Sequence, residues 1–241
     1  MSGRVHVVTG AGSGLGWHIT TALLDRGHRV VANYASSGAR LAELADEVGG
    51  DRLLPVPGDI AQEATSQELM ARAADLGGVA AVIHNASVTR DALLVRMAAE
   101  DWDAVHRVNL RGAFLLTKHA LRYMMRRRTG RLVYVSSIAA ELGNAGQANY
   151  AASKSGLSGL SRSVAQEYAR YGVTSCVLAA GLVAVGMGLR LAPEHQEAKL
   201  ARVLHGAAAP DDMAGVAAYL ASEEARLINA TVVHVDGGVI F

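Results

Sequence analysis

Along this chain, short runs of aliphatic and β-branched residues alternate with longer stretches whose apolar residues recur every three or four positions. The short runs predict strands over 5–8, 29–33, 53–56, 79–84, 131–136, 173–179 and 231–235. The longer stretches predict helices over 15–26, 39–48, 64–75, 99–127, 150–171 and 211–221. Strands that alternate with helices indicate right-handed crossovers and a parallel sheet covered on both faces. No Pro/Ser-rich linker and no internal repeat interrupts the alternation. The expectation is therefore an α/β chain, residues 1–241 forming a single domain around a doubly wound sheet of about seven strands. The stretch 181–209 fits no simple strand–helix unit. It follows the sixth strand, at the carboxyl edge where such sheets bind ligands, and reads as a substrate-covering segment at about 182–209.

Composition narrows this little further. Hydrophobic residues make up 51% of the 241, too many for a disordered chain. The net charge of +1 gives no reason to expect nucleic acid. The single cysteine, Cys176, excludes an internal disulfide and reads as a buried strand residue. The nine histidines show no metal-binding spacing. Met1-Ser2-Gly3-Arg4 leads straight into a strand, and no apolar run reaches membrane-spanning length, so the expectation is a cytoplasmic protein.

Two local patterns carry chemistry. The first predicted strand runs into Thr9-Gly10-Ala11-Gly12-Ser13-Gly14-Leu15-Gly16 and then a helix. Glycines let the backbone approach a pyrophosphate, and a helix N-terminus favours negative charge. A glycine-rich loop alone is a weak signal; one placed between the first strand and its helix reads as a nucleotide site. The second pattern is Tyr150-Ala151-Ala152-Ser153-Lys154, with Ser137 thirteen residues upstream. Positions i and i+4 share a helix face, so Lys154 lies one turn from Tyr150 and is expected to lower its pKa. A phenol tuned toward neutrality can exchange a proton with a carbonyl or alcohol, and Ser137 can hold the same oxygen. Alone, Tyr-x-x-x-Lys is a common accident of helices, and the glycine-rich turn is what gives it weight.

Together these features resemble the short-chain dehydrogenase/reductase family. Thr9-Gly10-x-x-x-Gly14-x-Gly16 resembles its glycine motif, and Asp236-Gly237-Gly238 its C-terminal turn. Asp59-Ile60 matches the family's adenine-contacting position, and His84-Asn85-Ala86-Ser87 stands where the family has Asn-Asn-Ala-Gly. Asn109, Ser137, Tyr150 and Lys154 match its proton-relay tetrad. The resemblance spans essentially the whole chain. It implies a Rossmann-like fold, a nicotinamide cofactor, Tyr150 as proton donor, Ser137 on the substrate carbonyl, and Lys154 on Tyr150 and the nicotinamide ribose. Asn109 would hold a water that connects Lys154 to solvent. Cofactor contacts are implied at Thr9, Gly10, Gly12, Ser13, Gly14, Leu15, Gly16, Asn33, Tyr34, Ala35, Ser36, Asp59, Ile60, Asn85, Ala86, Ser87, Ala180, Gly181 and Val183, with Tyr150 and Lys154. Where the family uses an acid to bind the ribose 2′-hydroxyl, this chain reads Asn33-Tyr34-Ala35-Ser36-Ser37. Ser36, Ser37 and Arg40 can receive a 2′-phosphate instead, which points to NADPH over NADH. Ser13, where many NADP-preferring members are basic, points the other way.

Within the family the chain is most similar to bacterial β-ketoacyl-acyl-carrier-protein reductases, through residues 89–97, 124–128 and 143–150. That branch implies a homotetramer and an acyl carrier protein docking on Arg126, Arg127 and Arg128. From the residues alone, the three arginines serve equally well to offset a helix macrodipole; the branch resemblance tips Arg128 toward docking. Tyr171 stands where the branch has a second docking arginine, and Arg170 is expected to point elsewhere. Ala180 and Val185 replace a proline and a threonine that the family places after the sixth strand, leaving nicotinamide placement to backbone groups. These departures keep two other readings open: a ketoreductase of polyketide or other secondary metabolism, and a non-catalytic cofactor-binding subunit or scaffold.

Overall fold

β1 (Val5–Val8) is buried at all four positions. Only a central parallel strand, covered above and below, hides every side chain. The computed structural model describes residues 3–183, 197, 201 and 203–239. Around β1 lie β2 (Arg29–Tyr34), β3 (Leu53–Pro57), β4 (Ala81–His84), β5 (Gly130–Ser137), β6 (Val173–Ala180) and β7 (Val232–Val235). They form a seven-stranded sheet in the order β3-β2-β1-β4-β5-β6-β7, every neighbouring pair parallel.

The sequence alternation along each strand divides two cores. Val8, Ala32, Ile83, Val133, Val135 and Leu178 face α1 (Gly14–Asp25), α2 (Ala39–Val48) and a helix at Pro210–Leu220, through Ile19, Leu23, Leu41, Met213 and Ala217. Val7, Val31, Val82, Leu132, Tyr134 and Val177 face α3 (Glu63–Asp75), a helix at Gly112–Arg127 and one at Ala148–Tyr168, through Leu69, Leu116, Met124 and Leu157. Each fully buried Leu, Ile or Met contributes roughly 1.5–3 kcal/mol, so the two layers dominate stability. Cys176 is a buried strand residue, as expected, and burial pushes its thiol up to about 12.

Most boundaries fall within two residues of expectation. The exceptions are 150–171, where the helix stops at Tyr168 and a 3-10 turn covers Ala169–Tyr171, and 99–127, expected as one helix. It is α4 (Ala99–His106), a π-turn over Arg107–Arg111, then α5 (Gly112–Arg127). Two short elements were not anticipated: a 3-10 turn at Leu94–Arg96 and α6 (Ala139–Leu142). After them come α7 (Ala148–Tyr168) and α8 (Pro210–Leu220). Of the expected substrate-covering segment, residues 182, 183, 197, 201 and 203–209 are described. Val183 bridges Ala208, and the Leu204 and His205 amides donate to the Gly238 and Gly237 carbonyls at 3.1 and 2.9 Å. Val185 lies outside the described residues.

The strand order reverses between β1 and β4. Ligands of open parallel sheets sit beyond the carboxyl ends at such a switch. The glycine-rich turn follows β1, residues 85–97 follow β4, and Ser137 ends β5, so the candidate groups share that edge.

Candidate active site

The glycine-rich turn is shaped by close backbone approach. A Cβ on Gly16 would overlap the Gly10 carbonyl, and one on Gly12 would overlap the Ser37 carbonyl. Gly10 and Gly14 have φ of 65° and 55°, which glycine adopts without strain. α1 starts with no side-chain cap from Ser13 and no acid in its first turn, and Leu15 is its second residue. Its first N–H groups are thus left for an external acceptor, and negative charge is favoured there. This cradle fits a dinucleotide pyrophosphate.

The turn is locked to the strand beside it. The Thr9 hydroxyl accepts from the backbone N–H groups of Asn85 and Ala86, each at 3.1 Å. The Asn85 amide donates to the Thr9 and Gly10 carbonyls, each at 3.2 Å. At the end of β2, the Ala11 N–H donates to the Asn33 carbonyl at 2.8 Å. The Asn33 side chain turns inward to the Val56 and Gly58 carbonyls at 3.2 and 3.0 Å, so it shapes the loop rather than facing a ligand. Tyr34 is half-buried, and Ala35, Ser36 and Ser37 are exposed. The Arg40 guanidinium stacks over the Trp17 ring, 3.7 Å from its centroid, and so stands fixed near this exposed turn. Asp59 is exposed and accepts the Ala61 N–H at 2.9 Å, while Ile60 is buried beside it. On the far side, Ala180 accepts the Ile138 N–H at 2.9 Å, Gly181 packs against Asp236, and Leu182 and Val183 pair with Ala208.

Tyr150, Ser137 and Lys154 come together as expected. α7 carries Tyr150 and Lys154 on the face toward β5, both buried, and β5 ends at Ser137. The Tyr150 pKa departs from expectation. Burial raises it; the Ser137 and Ser87 hydroxyls oppose that rise, and Asp91 adds to it. Lys154 does not offset it here, because its ammonium donates to the Val135 carbonyl at 2.7 Å and sits 5.7 Å from the Tyr150 ring centroid. Burial brings Lys154 itself down to about 7. The Ser87 hydroxyl is buried close enough to Tyr150 to act on its pKa, but outside full hydrogen-bond geometry.

Asn109 lies in the π-turn and is fully buried. Its amide donates to the Val88 carbonyl and the Ser153 hydroxyl at 3.1 and 3.0 Å, and its side-chain oxygen accepts the Val88 N–H at 2.9 Å. The Ser153 hydroxyl in turn donates to the Tyr150 carbonyl at 2.7 Å. The Asn109 side chain thus staples the loop after β4 to α7. Asn149 makes a second staple that the motif reading missed. It donates to the Arg90 carbonyl at 2.8 Å and accepts the Tyr150 N–H at 2.7 Å. Its signal was an asparagine beside the key tyrosine.

Arg126, Arg127 and Arg128 are exposed at the end of α5. Arg127 donates to the Gly77 carbonyl at 2.6 Å and Arg128 to the Arg170 carbonyl at 3.1 Å. The Arg170 guanidinium lies 4.9 Å from the Tyr171 ring centroid.

A parallel sheet with a pyrophosphate cradle at its switch point, and a buried tyrosine–serine–lysine group beside it, defines a nucleotide-dependent oxidoreductase. Comparison with known proteins agrees. The family model described as enoyl-(acyl carrier protein) reductase matches residues 10–240. The chain is 39% identical over 242 residues to a 3-oxoacyl-(acyl-carrier-protein) reductase of Vibrio cholerae, covering 99% of this chain and 98% of that protein. It is 37% identical over 241 residues to nodulation protein G of Rhizobium meliloti, covering 99% and 98%. The 3-oxoacyl-(acyl-carrier-protein) reductase of Escherichia coli is 36% identical over 241 residues, covering 98% and 97%. The chain belongs to the short-chain dehydrogenase/reductase family and is an NAD(P)-dependent oxidoreductase. Among the described residues, no helix is long and apolar enough to cross a membrane.

Proposed function

We propose that this protein is an NADPH-dependent ketoreductase that reduces the 3-keto group of an acyl thioester. The observation that carries the reading is the convergence of Tyr150, Ser137 and Lys154 beside the glycine cradle. The family model's description names reduction of a carbon–carbon double bond, whereas the names of the full-length relatives specify a 3-oxoacyl group. Two hydroxyls around one point suit a carbonyl oxygen, which accepts two hydrogen bonds; the relatives' names favour the keto substrate.

A nicotinamide bound in this cradle supplies hydride to the substrate carbonyl carbon. The rest falls to the chain. Ser137 donates to the carbonyl oxygen and holds it against Tyr150. Tyr150, kept neutral by burial, gives its proton as charge develops on that oxygen. Lys154, turning from Val135 toward Tyr150 and the ribose, stabilises the phenolate left behind. Asn109 holds α7 in register with the loop after β4. Gly12, Gly14, Leu15 and Gly16 cradle the pyrophosphate, Asp59 and Ile60 flank the adenine, and Asn85, Ala86 and Ser87 line the nicotinamide half. Ser36, Ser37 and Arg40 receive the 2′-phosphate.

The exposed Arg128, with Arg126 and Arg170 close by, suits an acidic carrier protein in a homotetramer packed through α5 and α7. A second reading, a ketone of secondary metabolism, is favoured by Tyr171 standing where the branch has an arginine. The test is NADPH oxidation with acetoacetyl thioesters on a carrier protein, on a short pantetheine analogue, and with cyclic ketones. Carrier-linked thioester as the best substrate supports the first reading; a cyclic ketone as the best supports the second. NADPH binding without turnover of any of them would leave only a cofactor-binding scaffold.

A further inference from the structure

His84 ends β4 with both ring nitrogens engaged and 1% of its surface exposed. Nδ1 lies 3.2 Å from the Thr9 hydroxyl and Nε2 lies 3.2 Å from the Asn109 main-chain carbonyl. These partners fix the tautomer. A carbonyl only accepts, so Nε2 carries the hydrogen and Nδ1 is the acceptor. The Thr9 hydroxyl already accepts two backbone N–H groups, and its one hydrogen goes to Nδ1. A doubly protonated ring would set Nδ1–H against an oxygen with no lone pair to spare. Burial, with the Lys154 charge nearby, holds the His84 pKa down to about 3, which agrees with a neutral ring.

The bond to Asn109 falls within the π-turn, where the helix ladder slips by one residue and its carbonyls are less well served. From there the chain of bonds continues. Asn109 donates to Ser153, Ser153 donates to the Tyr150 carbonyl, and Lys154 is the next residue on α7. At the other end, Thr9 opens the glycine-rich turn and holds the residues after β4. One imidazole therefore stands between the cofactor cradle and the helix that carries the proton donor.

We propose that His84, as its Nε2–H tautomer, is a positioning residue that ties the cofactor loop at Thr9 to the catalytic helix through the Asn109 carbonyl. The proposal rests on the reductase reading for its effect on turnover, but not for its effect on cofactor binding. It also separates two jobs by atom. Nδ1 acts on the cofactor loop, and Nε2 acts on the π-turn and α7.

Three substitutions in the whole protein test this. His84→Asn keeps an acceptor at the height of Nδ1 and releases Asn109. His84→Gln keeps a donor at the height of Nε2 and releases Thr9. His84→Leu removes both. The measurements are NADPH Kd by fluorescence titration, kcat with an acetoacetyl thioester, and melting temperature. Loss of one hydrogen bond is worth about a five-fold change. In His84→Gln it is expected in Kd, in His84→Asn in kcat, and in His84→Leu in both. Equal melting-temperature losses with Kd and kcat unmoved would make His84 a packing residue and overturn the proposal. So would a rise in Kd and a fall in kcat together in all three variants. A parent protein that binds NADPH yet reduces no ketone would defeat the reductase reading alone, and the Kd difference between Gln and Asn would still decide the tie to Thr9.

Discussion

Lys154 gives its ammonium to the Val135 carbonyl, 2.7 Å away, on the strand that ends at Ser137. The pair sets the resting state of the candidate site: the cation is parked on β5, one side-chain swing from Tyr150. A single carbonyl does not replace the water that a buried ammonium loses, so burial lowers the Lys154 pKa to about 7.

That value fixes a pH dependence. Unfolded Lys154 titrates at its ordinary 10.5, so between about 7 and 10.5 the unfolded chain binds the extra proton. Through Lys154, stability should rise with pH across that window and stay flat below it. Melting curves of the cofactor-free protein from pH 7 to 10 should show the rise, and Lys154→Met should weaken it while abolishing turnover. A slope unchanged in Lys154→Met would mean that the ammonium is better solvated than its burial implies.

Tyr150→Phe removes the proton donor and leaves the glycine cradle untouched. Turnover of a ketone should fall by about 10²–10⁴-fold, the range for loss of a general acid. NADPH Kd should stay within about five-fold, because one lost hydrogen bond is the largest direct cost. Residual activity within a few-fold of the parent would remove Tyr150 from the mechanism.

Cofactor choice can be reversed at the end of β2. Ala35 is exposed and residues 33–37 include no acid, so Ala35→Asp should repel a 2′-phosphate and accept a ribose hydroxyl pair. The ratio of kcat/KM for NADPH over NADH should drop below one. Arg40→Ala frees Trp17 and should weaken NADPH about five-fold, the scale of one charged contact near the surface, with less effect on NADH. A parent that already prefers NADH would show that Ser36, Ser37 and Arg40 form no phosphate site.

At the opposite end of β1, His6 is buried with neither ring nitrogen hydrogen-bonded. Burial, then the neighbouring His28 and Arg4 charges, takes its pKa down to about 3. Between pH 6.5 and about 3 the unfolded chain alone binds this proton, so stability should fall as pH drops through that range. His6→Val, a β-branched residue on a buried strand, should raise the melting temperature and flatten its fall below pH 6.5. An acid limb equally steep in the variant would place its cause in other groups.

Much of this architecture was legible in the sequence. Strands such as β1 and β6 show as mainly apolar, β-branched runs, broken only by His6 in one and by Thr174 and Ser175 in the other, because both faces are covered, and the cradle shows because glycine is demanded where Gly10 and Gly14 turn. The π-turn at Arg107–Arg111 was not legible, since one extra residue in a helix barely disturbs the apolar period. Leu94–Arg96 and α6 are too short to show any period at all. The Tyr150 motif was legible, but its electrostatics were not: helical spacing puts Lys154 near, while the Val135 carbonyl that claims it lies 19 residues away in sequence. His84 stood out only as an unusual letter in a motif. Its meaning depends on partners 75 and 25 residues distant.

The sheet separates two kinds of change. Cradle, tyrosine, serine and π-turn all gather beyond the carboxyl ends of the strands, whereas His6, the Arg4–Glu223 pair and the buried Arg131 cluster lie toward the other ends. Random variants enriched for heat resistance should accumulate at that second edge, and variants enriched for new substrates at the first. The two collections should then combine in one chain with nearly additive effects, so that such a scaffold can be hardened first and retaught afterwards.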